Sequence, residues 1–353
     1  MASRSDASRQ ERNRPTAEPE GFHLRNRRPA ARRSRHIYKL SCEEGTDLSI
    51  AATRQNVTPL PAAALRAKAT EGDAPRRGGS VKGFEIPKLT NYHLAANLSR
   101  DRLAYASTMR LTVIGGSGGY PGRGRPCSGY LVDADGFALL IDPGYGVATA
   151  LSLDDVRGFD AVLVSHAHPD HCADLNPILR ARAWADHPLP PLLVHALPGA
   201  LDAVLRLDRP EVLAGSFALH DLAPGGELTI GPFQVVTAPL PHPRPNVGFR
   251  ISVGRQPLVY TGDCGPSEEL IHLADRADLL LAEASYAEVV PPEIVGSLSS
   301  AADVGREARA GKVQRLVLTH LMPKTDEADA IAAAAGSFTG PIAVARPGLV
   351  VEV

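Results

Sequence analysis

Cysteine is scarce: the chain has four in 353 residues, Cys42, Cys127, Cys172 and Cys264. That is too few for a disulfide scaffold and fits a reduced, cytoplasmic setting. Long apolar runs are missing as well. None approaches the roughly 18 residues of a membrane span, and the first residues lack the basic, apolar and small-residue order of a secretory signal. No membrane association is expected. Aromatic residues reach only 5%, with a single tryptophan, and no period of roughly 20–50 residues repeats. Hydrophobic residues at 44% and charged residues at 22% are ordinary globular values, which excludes collagen, coiled coil and wholesale disorder.

What is abundant is punctuation, with 32 glycines and 30 prolines, and charge is unevenly spread. Residues 1–108 carry 20 Lys+Arg against 11 Asp+Glu, whereas 109–353 carry 18 against 28. A break of that size marks a domain boundary. The first 35 residues hold ten arginines and, after Met1, only Phe22 and Leu24 as large apolar side chains. They cannot bury enough surface to offset their ordering entropy, so 1–108 reads as a basic, largely disordered extension. A short helix is expected at 62–69 and a linker at 75–80. Arginine-rich arms can bind phosphate backbones, but no aromatics interleave here to stack bases, and a solvated extension is the preferred reading. Met109 also offers an alternative start, which would make the extension non-native.

From Met109 onward, twelve short apolar runs appear, from Leu111–Ile114 to Leu349–Val353. Helical patterns lie among them at Ala173–Trp184, Pro198–Leu207, Ser267–Asp275, Ser300–Ala310 and Asp326–Ala335. Strands and helices so mixed suit two packed sheets covered by helices, an α+β architecture, in one domain over 109–353. Trp184 is expected in the core on a helix face. His187, His220 and His272 are expected in solvent, and His195 as a plain strand end.

The chemistry concentrates in Ser165-His166-Ala167-His168-Pro169-Asp170-His171-Cys172. His166 and His168, two apart in an extended stretch, project to one side, and Pro169 then turns the chain so that Asp170 and His171 open a helix. Four ligand-type groups in six residues suit two adjacent divalent cations. Imidazole with carboxylate fits zinc, manganese or iron being alternatives. The remaining ligands must come from elsewhere, and three apolar strands end suitably, in His242, Asp263 and His320. Cys172 is expected as buried packing, and Cys264 on the opposite side of its strand from Asp263.

With Asp142 in Leu140-Ile141-Asp142-Pro143-Gly144, the order H-x-H-x-D-H, His242, Asp263, His320 resembles the metallo-β-lactamase superfamily over essentially all of 109–353. The resemblance implies a four-layer αββα sandwich with a two-metal site at one edge. His166, His168 and His242 would hold one cation and Asp170, His171 and His320 the other. Asp263 would bridge them, and Asp142 would orient a ligand histidine from behind. Asp170 and Asp263 would be the catalytic carboxylates, and a bridging water made acidic by the cations would supply hydroxide. Activity would then fall at acid pH, where the histidines protonate.

Finer patterns, Gly115-Gly116-Ser117-Gly118-Gly119, Thr261-Gly262-Asp263 and Glu283-Ala284-Ser285, resemble the ribonuclease Z and bacterial cyclic-nucleotide phosphodiesterase branch. The branch with cysteine at the metal is less similar, because aspartate stands at that point. Ribonuclease Z carries a tRNA-binding arm between its third histidine and bridging aspartate. His242 and Asp263 are too close for one, and the acidic domain would repel a polyanion. The expected substrate is therefore a small phosphodiester such as a cyclic nucleotide, not nucleic acid. One departure is the stretch Gly296-Ser297-Leu298-Ser299-Ser300, where the branch has a proton-donating histidine. Serine cannot donate a proton near neutrality, so another group does so or the leaving group is a better one. Ser117, Gly118 and Ser297 are the candidate substrate contacts. Alternatives are hydrolysis of a lactone, thioester or aryl sulfate, ribonuclease Z-like RNA processing, or a binding module without activity. A homodimer is left open.

Overall fold

The computed structural model describes residues 38–40, 48–50 and 108–353. The disorder expected of the extension, the helix at 62–69 and the linker at 75–80 lie outside the described residues. The chain divides into two units, Met1–Phe84 and Glu85–Val353. Of the first, two short strands are described, β1 (Tyr38–Leu40) and β2 (Leu48–Ile50), paired antiparallel.

In the second unit the apolar runs assemble into two seven-stranded sheets. One has the spatial order β16 (Val350–Glu352), β3 (Arg110–Gly115), β4 (Gly129–Ala134), β5 (Phe137–Ile141), β6 (Ala161–Leu163), β7 (Leu192–Ala196) and β8 (Phe217–Asp221). The other runs β15 (Ile342–Val344), β14 (Leu316–Thr319), β13 (Leu279–Glu283), β12 (Gln256–Tyr260), β11 (Asn246–Val253), β10 (Phe233–Leu240) and β9 (Glu227–Ile230). Each sheet is parallel in one half and antiparallel in the other. The sequence explains the division. β6, β13 and β14 are unbroken apolar runs buried along their length, as parallel strands covered on both faces must be. β10 alternates, burying Phe233, Val235 and Thr237 while exposing Gln234, the period-two signature of an antiparallel strand.

Between the sheets, Leu111, Tyr130, Leu139 and Ile141 share one core with Phe233, Phe249, Ile251 and Tyr260. Helices α1 (Val147–Ala150), α2 (Leu153–Gly158), α4 (Leu175–Ala183) and α6 (Pro210–Leu213) pack on the outer face of the first sheet. Helices α7 (Glu268–Leu273), α8 (Ala301–Ala310) and α9 (Glu327–Ala335) cover the second. The result is the expected αββα sandwich.

The structure corrects three expectations. Strands β8 and β9 had no place among the twelve runs; they are the sheet edges, with mostly exposed or half-buried side chains and so little apolar signal. The pattern at 198–207 shrinks to α5 (Asp202–Leu205). Trp184 is not core: α4 turns Leu175, Ile178 and Leu179 inward, and Trp184, just past the last turn, is 64% exposed. The Arg180 guanidinium lies 4.4 Å above its ring. Cys127, Cys172 and Cys264 are buried free thiols. Among the described residues no helix is long and apolar enough to cross a membrane.

Candidate active site

Five strand ends meet at one edge of the sandwich. The first sheet supplies Asp142 after β5 and the histidine segment after β6. The second supplies His242 after β10, Asp263 after β12 and His320 after β14. His168 stands in extended conformation just before the one-turn helix α3 (Pro169–Cys172). Pro169 takes the first helical position, where its missing N–H costs nothing, and the turn carries Asp170 and His171 into the site. Two clusters of ligand-type atoms result: His166, His168, His242 and Asp263 in one, and Asp170, His171, Asp263 and His320 in the other, each within 4.8 Å. Asp263 belongs to both. Its Oδ1 lies 3.0 Å from His171 Nε2 and 3.3 Å from His320 Nε2, and its Oδ2 is 3.7 Å from His166 Nε2.

Hydrogen bonds behind the rings fix which way the lone pairs face. Asp142, fully buried, accepts from the Ser165 amide (2.7 Å), the Ser165 hydroxyl (2.6 Å), the Tyr260 hydroxyl (2.7 Å) and His171 Nδ1 (2.8 Å). A carboxylate only accepts, so His171 carries its proton on Nδ1. The Ser165 hydroxyl, its single proton given to Asp142, accepts from His166 Nδ1 at 3.0 Å. His242 Nδ1 donates to the Ser297 carbonyl at 3.0 Å. Ser285 Oγ faces His320 Nδ1 at 3.1 Å. In each neutral ring Nε2 is then an inward-facing acceptor. His168 Nδ1 completes the first group, 3.0 Å from His166 Nε2 and 3.2 Å from His242 Nε2.

Acceptors crowded on acceptors repel unless something positive sits among them. Among the described residues two buried atoms, His171 Nε2 and Asp263 Oδ1, have no hydrogen-bond partner, a condition that is costly unless a cation is the missing partner. The donor set of five imidazoles and two carboxylates is that of zinc and its neighbours in the first transition series. The site fits two divalent cations.

Electrostatics agree. Burial, with its histidine neighbours, holds His166 well below the usual histidine range, and burial lowers His168 as well. Burial would raise Asp263, but the charges of His171 and His320 outweigh it and keep the carboxyl ionised well below its usual range. Asp170 is likewise lowered, against burial, by His320. His171 and His320 are raised in spite of burial, pulled up by Asp263. A cation at their Nε2 atoms would compete with a proton there.

The glycine loop beside the site spends several of its amides inside the protein. The amides of Gly116 and Ser117 are taken by the Pro126 carbonyl, and that of Gly118 by Leu321. These amides are therefore not free to cradle a phosphate. Gly118 instead allows a close approach: a Cβ there would lie 2.5 Å from the His320 carbonyl oxygen. Gly119, the last residue of the loop, donates its amide to Asp170 Oδ2 at 2.9 Å, and Tyr120 beside it is 57% exposed. Ser297 meets the site through its carbonyl on His242. Cys172 donates to the His168 carbonyl (3.3 Å), and Cys264 packs with α7 and α8, so neither thiol joins the clusters. His195 sits half-buried on β7, stacked on exposed His220 at 4.9 Å, outside the site. Ser165, Tyr260 and Ser285, which position the rings, carry no signal in sequence beyond their place at strand ends.

Comparison with known proteins supports the same grouping. A family model described as the beta-lactamase superfamily domain matches residues 138–321. An uncharacterized protein of Mycobacterium leprae is 35% identical over 246 residues, covering 67% of this chain and 85% of its own. A ribonuclease Z of Thermobifida fusca is 27% identical over 304 residues, covering 68% of this chain and 93% of its own. The crystal structure of the metallo-beta-lactamase fold protein YhfI from Bacillus subtilis superposes with a TM-score of 0.64 at 28% identity. It covers 70% of this chain and all of YhfI; the same protein's sequence bears the name probable metallo-hydrolase. With the model spanning half its length and a relative above 30% identity over two thirds of it, the chain belongs to the beta-lactamase superfamily, as one of its metallo-hydrolases.

Proposed function

We propose that the chain is a two-metal hydrolase of small phosphodiesters, of the cyclic-nucleotide kind. The observation that carries the reading is the shared position of Asp263 between two histidine groups whose free nitrogens all face inward. His166, His168 and His242 would hold one cation, Asp170, His171 and His320 the other, and Asp263 would bridge. Zinc is the ion the donor set favours. Divalent ions so held supply Lewis acidity to a water and to the phosphoryl oxygens.

The protein's own residues do the rest. Asp142 keeps His171 in the tautomer that offers Nε2 inward, and Ser165, the Ser297 carbonyl and Ser285 do the same for His166, His242 and His320. The Gly119 amide fixes one oxygen of Asp170. Between His242 and Asp263 lies only the β11–β12 hairpin, turning at Gly254, with no room for an RNA-holding arm. That favours a small substrate, as does the acidic balance of the domain. In the stretch 296–300 the serines cannot donate a proton near neutrality, which favours a substrate whose leaving oxygen needs little help.

The test couples metal content by mass spectrometry with a hydrolysis panel. The panel holds 2′,3′- and 3′,5′-cyclic nucleotides, bis-p-nitrophenyl phosphate, a lactone and a thioester. Two ions per chain and turnover of phosphodiesters are expected. Turnover confined to the lactone or thioester overturns the substrate class, and a chain that takes up no ion overturns the whole reading.

A further inference from the structure

Glu283 ends β13, which lies between β12 and β14 in the sheet, the two strands that lead to Asp263 and His320. A carboxylate at a strand end belongs in water, yet this residue is 1% exposed and pairs with no cationic side chain among the described residues. Its two oxygens take one backbone amide each. Oε1 accepts from Ser285 at 3.0 Å and Oε2 from Ser299 at 2.8 Å.

Those amides belong to two separate loops, and each loop supports the metal-site residues. Ser285 faces His320 Nδ1 with its hydroxyl. The Ser299 hydroxyl donates to the carbonyl of Cys264, next to Asp263, at 2.8 Å. Two residues before Ser299, the Ser297 carbonyl receives His242 Nδ1. One buried carboxylate thus ties down the supports of His242, Asp263 and His320, all three residues that the second sheet brings to the site.

We propose that Glu283 is a positioning residue that sets the spacing of these three side chains for metal binding by clamping the 285 and 297–299 loops together. The inference rests on their being metal ligands. The clamp needs two acceptors on one planar group. Glutamine keeps the shape but has one acceptor, and its amide nitrogen would meet an N–H, so one loop is released.

The test uses the full chain, stripped of metal and titrated with Zn2+ against a chromophoric chelator. Glu283→Gln is compared with Glu307→Gln, another buried carboxylate that accepts a single backbone amide, from Ser267, and supports no residue of the site. Glu283→Gln is expected to weaken zinc binding about 10–100-fold, the usual cost of losing a group behind the ligands, while Glu307→Gln leaves it unchanged. Should Glu283→Gln not fold, Glu283→Asp, whose carboxylate is drawn back by one methylene from both amides, is expected to weaken zinc binding in the same way. Parent-like zinc affinity in Glu283→Gln, or in Glu283→Asp where it stands alone, overturns this inference while leaving the metal site standing. A parent chain that binds no zinc overturns both.

Discussion

Replacing Asp142 by asparagine isolates a single function of the site. Asp142 sits at φ 48°, in the left-handed region that asparagine tolerates as readily as aspartate, so the exchange adds no backbone strain. Three of its four donors, the Ser165 hydroxyl, Tyr260 and His171, converge on Oδ2, and the Ser165 amide meets Oδ1. The best placement of an asparagine keeps its oxygen toward those three and turns its NH2 onto the Ser165 amide, donor against donor at 2.7 Å. One buried charge-assisted bond is lost and a donor is left unpaired, at about 2–3 kcal/mol, or roughly 5–10 °C in melting temperature for a domain of this size. His171 keeps its orientation in part but loses the negative partner that makes Nε2 a strong ligand, so zinc affinity should fall about 10–100-fold. Calorimetry of the metal-free chain reads the first quantity and chelator competition the second. A variant that melts lower yet binds zinc like the parent would show that Asp142 only builds the fold, and the account of the site would be wrong.

Gly118→Ala should reduce zinc affinity rather than merely raise KM, because its Cβ would strike the His320 backbone; unchanged metal binding with impaired substrate binding would restore the loop as a substrate contact. Glu307, whose Oε2 has no hydrogen-bond partner among the described residues, is pushed up by burial to about 7. A raised carboxyl pKa means stability is full below the unfolded value near 4.5 and declines as pH rises through 7, by about 3 kcal/mol at most. Glu307→Gln should therefore melt higher than the parent at pH 8 and about equal to it at pH 5, and an equal shift at both would refute the reasoning. Trp184→Ser, at an exposed site, should cost no more than about 1 kcal/mol, the worth of its contact with Arg180; a loss of several would mean the ring is covered. Chelating the metal should lower the melting temperature, and restoring it with rising zinc should follow the logarithm of free ion concentration, a dependence absent if the clusters bind nothing.

Sequence carried the candidate site further than it carried the fold's margins, for physical reasons. Histidine and aspartate at the ends of apolar strands are placed by the strands themselves, so the period and the stop of β6, β12 and β14 already aim His166, Asp263 and His320. Nothing comparable marks β8 and β9, where an edge strand needs only one partner and leaves most of its side chains half-buried or in solvent. Trp184 misled because an apolar residue in a helical pattern reads as core, whereas the helix ends one residue earlier and its inward face is already filled by Leu175, Ile178 and Leu179. Glu283 figured in the sequence only as part of the Glu283-Ala284-Ser285 pattern that closes a strand. Its burial comes from two loops closing over it, one of them sixteen residues away, and no local pattern encodes that closure.

The same topology explains why the site needs both sheets. Asp142, His166 and the short helix behind it belong to the half of the first sheet that runs parallel, and Asp263, Glu283 and His320 to the parallel half of the second. Parallel strands buried on both faces can expose functional groups only at their ends, so each sheet alone would offer an incomplete set at its rim. Packed face to face over the Tyr130–Tyr260 contact, ring centroids 5.0 Å apart, the two rims face each other. Tyr260 does both jobs at once, filling the core between the sheets and donating its hydroxyl to Asp142 across the divide. The geometry of the clusters is therefore set by how the sheets pack, and a cation bridged by Asp263 would be held by side chains from both.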